Sequence, residues 1–253
     1  MNDSANKYQF DFSEMHREEM YNRQGRERKA KTMVSVLQDY FNTDLKSLNL
    51  LDFGSSTGLI ANYLSAFFGE VVGIDIDRPA VEFADASYKK ENLKFMLANS
   101  LKIEMPDNYF DTVICAQVYE HVPDAAMMMA EIYRVLKTGG VCYFTAGNRL
   151  NIIEPHYHLP FLSVVPRPLA HLYVKWSGKG SHYYEKHLSY WGLKHLVRRF
   201  DIIDYTRSII ENPHRFSADY LLKPNAMKTR LANWVVKYAF WLCPGYIWLL
   251  KKS

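Results

Sequence analysis

Within Asp52-Phe53-Gly54-Ser55-Ser56-Thr57-Gly58 the chain sets a carboxylate, two glycines and small hydroxyl residues side by side. Glycine lets a backbone come close to a ligand. A turn from strand to helix is where open α/β sheets hold nucleotide-like cofactors. Asp75 follows 21 residues after Gly54, at the end of a second apolar run. A carboxylate there can accept both hydroxyls of a ribose. Asn99-Ser100 closes a third run, where an amide side chain can read the edge of an adenine. Ala116-Gln117 closes a fourth, beside the expected reaction centre. Asp52, Gly54, Ser55, Ser56, Thr57, Gly58, Asp75, Ile76, Asn99, Ser100, Ala116 and Gln117 together outline a site for a nucleoside cofactor. A nicotinamide enzyme would place its glycines as G-x-G-x-x-G, whereas this chain has G-x-x-x-G. A tight turn without any cofactor is the remaining reading, because glycine turns also serve packing.

The elements that must position these residues alternate strand and helix. Residues 48–53, 70–76, 93–97, 110–117 and 141–146 have strand patterns. Helical patterns follow Gly58, begin at Pro79 (a favoured first-turn residue) and span 123–136 before Gly139-Gly140. Strands separated by helices predict parallel βαβ units, wound right-handedly, with ligands at the carboxyl ends of the strands. Residues 8–45 are charged and helical in pattern, and Val34, Leu37 and Phe41 form an apolar stripe that can lean on the sheet. A helix near 189–199 and a strand near 200–206 resume the rhythm.

A length of 253 residues suits one large α/β domain with decorations. A net charge of +4 is too small to argue for nucleic acid. Cys115, Cys142 and Cys243 are odd in number and far apart, which predicts reduced thiols in a cytosolic protein. Residues 1–6 are polar and lack the apolar core of a signal peptide.

In order and kind, these stretches resemble the class I S-adenosylmethionine-dependent methyltransferases, and their UbiE/UbiG-like domain in particular. The resemblance rests on Asp52–Gly58, Gly73-Ile74-Asp75-Ile76, Pro106-Asp107-Asn108-Tyr109-Phe110-Asp111, Glu120-His121-Val122-Pro123-Asp124 and Arg134-Val135-Leu136-Lys137-Thr138-Gly139-Gly140. It covers about residues 45–148. It implies a Rossmann-like, doubly wound, mostly parallel seven-stranded α/β sheet with S-adenosyl-L-methionine as cofactor. It also implies that the first turn meets the methionine part, Asp75 the ribose, Asn99 the adenine, and residues 116–117 the methyl-transfer side. Two departures stand out: Ser56 replaces the family's middle glycine, and Thr138 replaces a proline.

Such an enzyme must align an acceptor's lone pair with the methyl–sulfur bond. An alcohol acceptor also benefits from a base. His121, just after the fourth strand, is the candidate, with Glu120 to orient it or a substrate hydroxyl. A locally packed histidine and a solvated carboxylate are the plainer readings.

Residues 147–188 break the rhythm with four prolines, many aromatics and five histidines. Long excursions of this kind are often functional. Asn148, His156, His158, Tyr183 and Tyr184 are the candidate acceptor contacts, and Tyr157 and Trp176 could stack on a flat ring. Glu154, His156, His158, His182, Glu185 and His187 invite a metal. No spacing among them defines a known structural site and no cysteine is near, so no metal is expected. The stretch 154–175 resembles a segment of methyltransferases from bacterial surface-saccharide and lipid-linked glycan pathways. That makes a sugar or lipid-linked glycan hydroxyl the leading acceptor. A quinone, aromatic or lipid acceptor is the alternative, and a non-catalytic cofactor-binding or membrane-associated protein is another.

After Asp219 no acidic residue follows, while Lys223, Lys228, Arg230, Lys237, Lys251 and Lys252 do. The apolar run 231–243 reaches about 20 Å as a helix, short of a hydrocarbon core of about 30 Å. Residues 225–253 are therefore expected to lie on a membrane surface or to pack on protein, not to span. The expected organisation is a helical extension over 1–45, the cofactor core over 46–148, a lid insertion over 149–188, completion of the sheet over 189–222, and a basic aromatic helix over 223–253.

Overall fold

The computed structural model describes residues 10–99, 101–222 and 226–253. Ser100, part of the expected cofactor set, lies outside the described residues, as do 1–9 of the extension and Lys223 at the expected start of the tail.

Seven strands form one sheet: β1 Asn49–Phe53, β2 Glu70–Asp75, β3 Leu93–Leu97, β4 Phe110–Ala116, β5 Leu136–Gly147, β6 Asp201–Asp204 and β7 Gly245–Lys251. Their order is β3-β2-β1-β4-β5-β7-β6. The first five run parallel, and β7 is antiparallel to both β5 and β6. This is the doubly wound α/β sheet expected. Side chains on a strand alternate faces, and here both faces are buried. Leu51, Phe53, Val113 and Cys115 pack into one layer, while Leu50, Ile114 and Val141 pack into the other. The three cysteines are free and buried.

Ten α-helices are named along the described residues. Those that matter for the site are α1 Phe12–Met15, α2 Arg17–Met20, α3 Arg23–Phe41, α4 Leu59–Leu64, α5 Arg78–Ser87, α6 Ala125–Val135 and α7 Arg167–Trp176. α8 Tyr190–Leu196, α9 Thr206–Glu211 and α10 Met227–Tyr238 complete the set. Val34 and Leu37 of α3 are buried against the sheet, as their spacing predicts. The insertion builds a small core of its own from Leu159, Leu162, Ala170, Val174 and Tyr183.

The tail departs from expectation. The helix covers only Met227–Tyr238, and residues 245–251 form a core strand between β5 and β6. The helix ends at Tyr238, well before Pro244, and a short 3-10 turn over Phe240–Leu242 follows. Beyond it Trp248 and Leu250 face one layer while Leu249 faces the other. A short apolar run does not by itself distinguish strand from helix. Residues 189–222 therefore supply only β6, and β7 completes the sheet. Lys252 is drawn inward as well: its Nζ donates to the carbonyls of Tyr133 and Leu136 at the end of α6. Among the described residues, no helix is long and apolar enough to cross a membrane.

Candidate functional site

The turn after β1 is shaped by three residues with positive φ: Gly54 at 79°, Ser56 at 47° and Gly58 at 73°. A side chain at Gly54 would place its Cβ 2.7 Å from Val118, and one at Gly58 would meet Phe95 at 2.6 Å and Ala84 at 2.7 Å. Glycine is required at both by conformation and by space. Ser56 adopts a left-handed conformation without being glycine, a cost that tends to persist where function demands it. Its backbone N–H donates to Asp75 Oδ2 at 2.7 Å, and the N–H of Asp77 donates to Asp75 Oδ1 at 2.9 Å. Asp75 thus fixes the turn while each oxygen keeps acceptor capacity.

Around this turn several buried polar atoms have no hydrogen-bond partner: Asp52 Oδ2, Ser55 Oγ, Ser56 Oγ and Arg26 Nε. Burial raises Asp52 to about 7, and the nearby Arg26 guanidinium works in the opposite direction. Burial likewise lowers Arg26, against the charges of Glu19, Asp52 and Asp75. A zwitterionic ligand end would satisfy both groups, because an ammonium suits Asp52 and a carboxylate suits Arg26. The residues present therefore fit an amino-acid-bearing nucleoside. Arg26 was missed by sequence reasoning, since it is one of several arginines in a charged helix and only the fold aims it at the turn.

The N-terminal helices close over the same turn. Ser13 N donates to Asp77 Oδ2 at 2.6 Å, and Thr57 Oγ1 donates to the Met20 carbonyl at 2.8 Å. Phe12 stacks on His16 with centroids 4.4 Å apart and lies 4.9 Å from His121. Asn99, the residue expected to meet the adenine, is exposed and its Oδ1 accepts from Leu101 N, so a local turn occupies part of its capacity. Gln117 follows β4 with φ of 59°, and its Nε2 reaches Thr145 Oγ1.

The opposite wall is a cluster of imidazoles and carboxylates. His121 lies 4.9 Å from the ring of His156, edge to face. Glu154, fully buried, accepts from His156 Nδ1 at 2.8 Å, from His187 Nε2 at 3.2 Å and from the N–H groups of His156 and Tyr157. Burial alone would raise Glu154, but the hydrogen bonds from His156 and His187 bring it down to about 2. Burial would lower His156, yet the Glu154 bond and the surrounding carboxylates leave it raised. His121 is pushed well below the ordinary histidine value, first by burial and then by neighbouring imidazoles. Glu120 is raised, with burial the largest cause. Lys186 N donates to the Glu120 carbonyl at 2.9 Å, which threads Glu185 and His187 past this wall.

The other expected acceptor contacts divide. Asn148 is spent within the fold: its Nδ2 binds the carbonyls of Trp241 and Cys243 and the Tyr246 hydroxyl. Tyr183 is buried in the insertion's own core, while His158 is exposed at a turn with φ of 54°. Tyr184 is partly exposed, its carbonyl held by Arg167. His156 is the one expected contact that joins the cluster around His121. Glu154, Glu185 and His187, grouped with it in the sequence as residues that invite a metal, enter with it, and His16 joins from the N-terminal helices.

Residues 51–144 match the family model described as a methyltransferase domain. A demethylmenaquinone methyltransferase of Lactococcus lactis is 33% identical over 146 residues, 54% of this chain and 56% of the relative. A ubiquinone biosynthesis O-methyltransferase of Rickettsia canadensis is 28% identical over 157 residues, covering 62% of each chain. The chain thus spans less than two thirds of the length of these relatives. In fold, the solved plantazolicin methyltransferase BpumL, in complex with a monoazolic desmethylPZN analog and SAH, superimposes with a TM-score of 0.61. That match is 17% identical and covers 99% of this chain and 94% of that one.

Proposed function

We propose that residues 51–144, which match a methyltransferase domain model, are a class I S-adenosylmethionine-dependent methyltransferase core, and that this chain methylates a small-molecule acceptor. The observation that carries the reading is the donor turn, with its two obligatory glycines, Asp75, and the unsatisfied pair Arg26 and Asp52. S-adenosylmethionine, when bound, supplies an electrophilic methyl group on a sulfonium. Arg26 and Asp52 would hold its carboxylate and ammonium, Asp75 its ribose hydroxyls, and Asn99 its adenine edge. The chain's own task is then to bring an acceptor to the Gln117–His121 side, exclude water and handle one proton. In O-methylation His121, which burial keeps neutral, would stand where the hydroxyl proton must leave, although the same burial weakens it as a base.

Two acceptor classes compete. The similarity to a demethylmenaquinone methyltransferase and a ubiquinone biosynthesis O-methyltransferase supports a quinone-like or other aromatic, lipid-soluble acceptor over a saccharide hydroxyl. The surface agrees with that choice. Leu231, Trp234 and Tyr238 of α10 are exposed among Lys228, Arg230 and Lys237, a pattern suited to the surface of an anionic bilayer. Titration calorimetry with S-adenosylmethionine and S-adenosylhomocysteine tests the donor, and absence of heat at millimolar ligand overturns the methyltransferase reading. Labelled-methyl transfer to a demethylated quinol against a lipid-linked saccharide tests the acceptor. Binding without transfer to any extract component would support the non-catalytic alternative.

A further inference from the structure

We propose that His121, His156 and Glu185 form a binding site for one divalent transition-metal ion, with Glu154 holding the His156 ring from behind. The three residues each offer a ligand atom, and these atoms lie within 4.8 Å of one another. They come from two separate parts of the chain, the loop after β4 and the two ends of the insertion, so the fold assembles the group. Two imidazoles and one carboxylate on one side of an ion leave further coordination positions open, the arrangement used by catalytic zinc and non-haem iron sites.

The surroundings favour a metal in two independent ways. Glu154 Oε1 engages His156 Nδ1 at 2.8 Å, which leaves Nε2 as the nitrogen for an ion. Metal-binding histidines almost always have their second nitrogen on such a carboxylate, which fixes ring and tautomer. Charge gives the second argument. Glu120, Glu154 and Glu185 are all buried, at 1%, 0% and 1% exposure. The positive groups that act most strongly on Glu120 and Glu154 are histidines. Both carboxylate oxygens of Glu120 also have no hydrogen-bond partner. Buried carboxylates need nearby positive charge, and a divalent ion would supply it. Nitrogen and oxygen donors without thiolate suit zinc, iron(II), cobalt or nickel, whereas magnesium and calcium prefer oxygen alone.

The site lies on the acceptor side, so its consequence rests on the methyltransferase reading, although ion binding itself does not. An ion with open positions would bind an acceptor hydroxyl and lower its pKa. His121 would then act as ligand instead of base.

The test uses the untagged full chain, stripped with chelator and dialysed against zinc, cobalt or magnesium in turn. Elemental analysis should find about one zinc or cobalt per chain and no magnesium. Bound cobalt should give visible absorption without a sulfur charge-transfer band. His156→Ala and Glu185→Gln should each weaken zinc by at least about ten-fold, and Glu154→Gln by a similar factor. Binding of S-adenosylhomocysteine, measured on the same variants, should stay unchanged and shows that they fold. Should the alanine variant fail to fold, His121→Gln gives the same readout. Failure to retain zinc or cobalt, retention unaltered in the variants, or a thiolate spectrum would overturn the site. Metal retained by a protein that binds no S-adenosylhomocysteine would instead sink the methyltransferase reading and leave the metal site standing.

Discussion

Residues 52–58, the proposed donor turn, are shaped through their backbone, whereas residues 120–121 and 154–187, the proposed acceptor wall, meet through side chains. In the donor turn the needed features are positive φ angles and close approach, and glycine encodes both locally. In the acceptor wall the features are imidazoles and carboxylates that meet only after folding, such as Glu154 with His187, 33 residues apart. The donor turn is woven into the main sheet, while the insertion has a separate core. The difference suggests that a methyl donor can be held by a fixed scaffold while the acceptor site is rebuilt on an added segment.

The largest expected effect would split the two regions. Glu154→Ala removes a buried carboxylate that receives two imidazoles and two backbone N–H groups. Removing one partner from a buried charged network costs about 3–5 kcal/mol. Urea denaturation should register that loss, while affinity for S-adenosylhomocysteine in the folded protein remains at the wild-type value. An equal loss of cofactor affinity would show that the two regions form one cooperative unit.

Gly58→Ala attacks the other side. The new Cβ would sit in left-handed backbone and 2.6 Å from Phe95. A strained conformation of this kind costs about 1–3 kcal/mol before the clash is counted. Here cofactor affinity and melting temperature should fall together, in contrast to the Glu154 variant. Loss of stability with cofactor binding intact would break the contrast from the donor side.

The same contrast explains what was legible in the sequence. The first five strands and the donor turn could be read because apolar periodicity and glycine placement are local signals. Several motif residues that carry the family resemblance are structural: Arg134 holds Asp107 and the carbonyls of Ile103 and Met105, and Asp111 holds Lys137 and Asn49 N. β7 was misread because Tyr246–Leu250 is apolar throughout, and its partners β5 and β6 decide its form. Arg26 and the meeting of the Glu154 group with His121 and His16 were hidden for a different reason. Their importance depends on what surrounds them in three dimensions, and no spacing announces it.

A smaller effect sharpens the donor side through pH. Burial holds Asp52 near 7, well above its ordinary value of 3.8. An ammonium on the ligand needs the ionised carboxylate, so cofactor affinity should fall as pH drops below 7. The slope approaches about ten-fold per pH unit and vanishes in Asp52→Asn. Stability of the ligand-free protein has the opposite sign. Between 3.8 and about 7 the unfolded chain releases the Asp52 proton first, so this group lowers stability as pH rises through that window. Calorimetric titrations from pH 6 to 8 check the first statement, and denaturant midpoints across pH 4 to 7 check the second. A flat wild-type affinity profile would place the ligand's ammonium elsewhere.

The smallest effect on the folded protein tests whether the acceptor side extends to a membrane. Trp234 is 55% exposed on α10, beside Tyr238 at a centroid distance of 5.8 Å. An exposed residue away from buried networks changes stability by less than about 0.5 kcal/mol, so Trp234→Glu should leave the denaturation midpoint in place. It would, however, set a negative charge on the face proposed to meet anionic lipid, where the basic residues Lys228, Arg230 and Lys237 add attraction. Co-sedimentation with phosphatidylglycerol vesicles should therefore drop sharply for the variant and should also fade in high salt. Undiminished sedimentation would remove α10 from the membrane contact. A lowered midpoint instead would mean that Trp234 packs on protein, and the acceptor region would then end at the insertion.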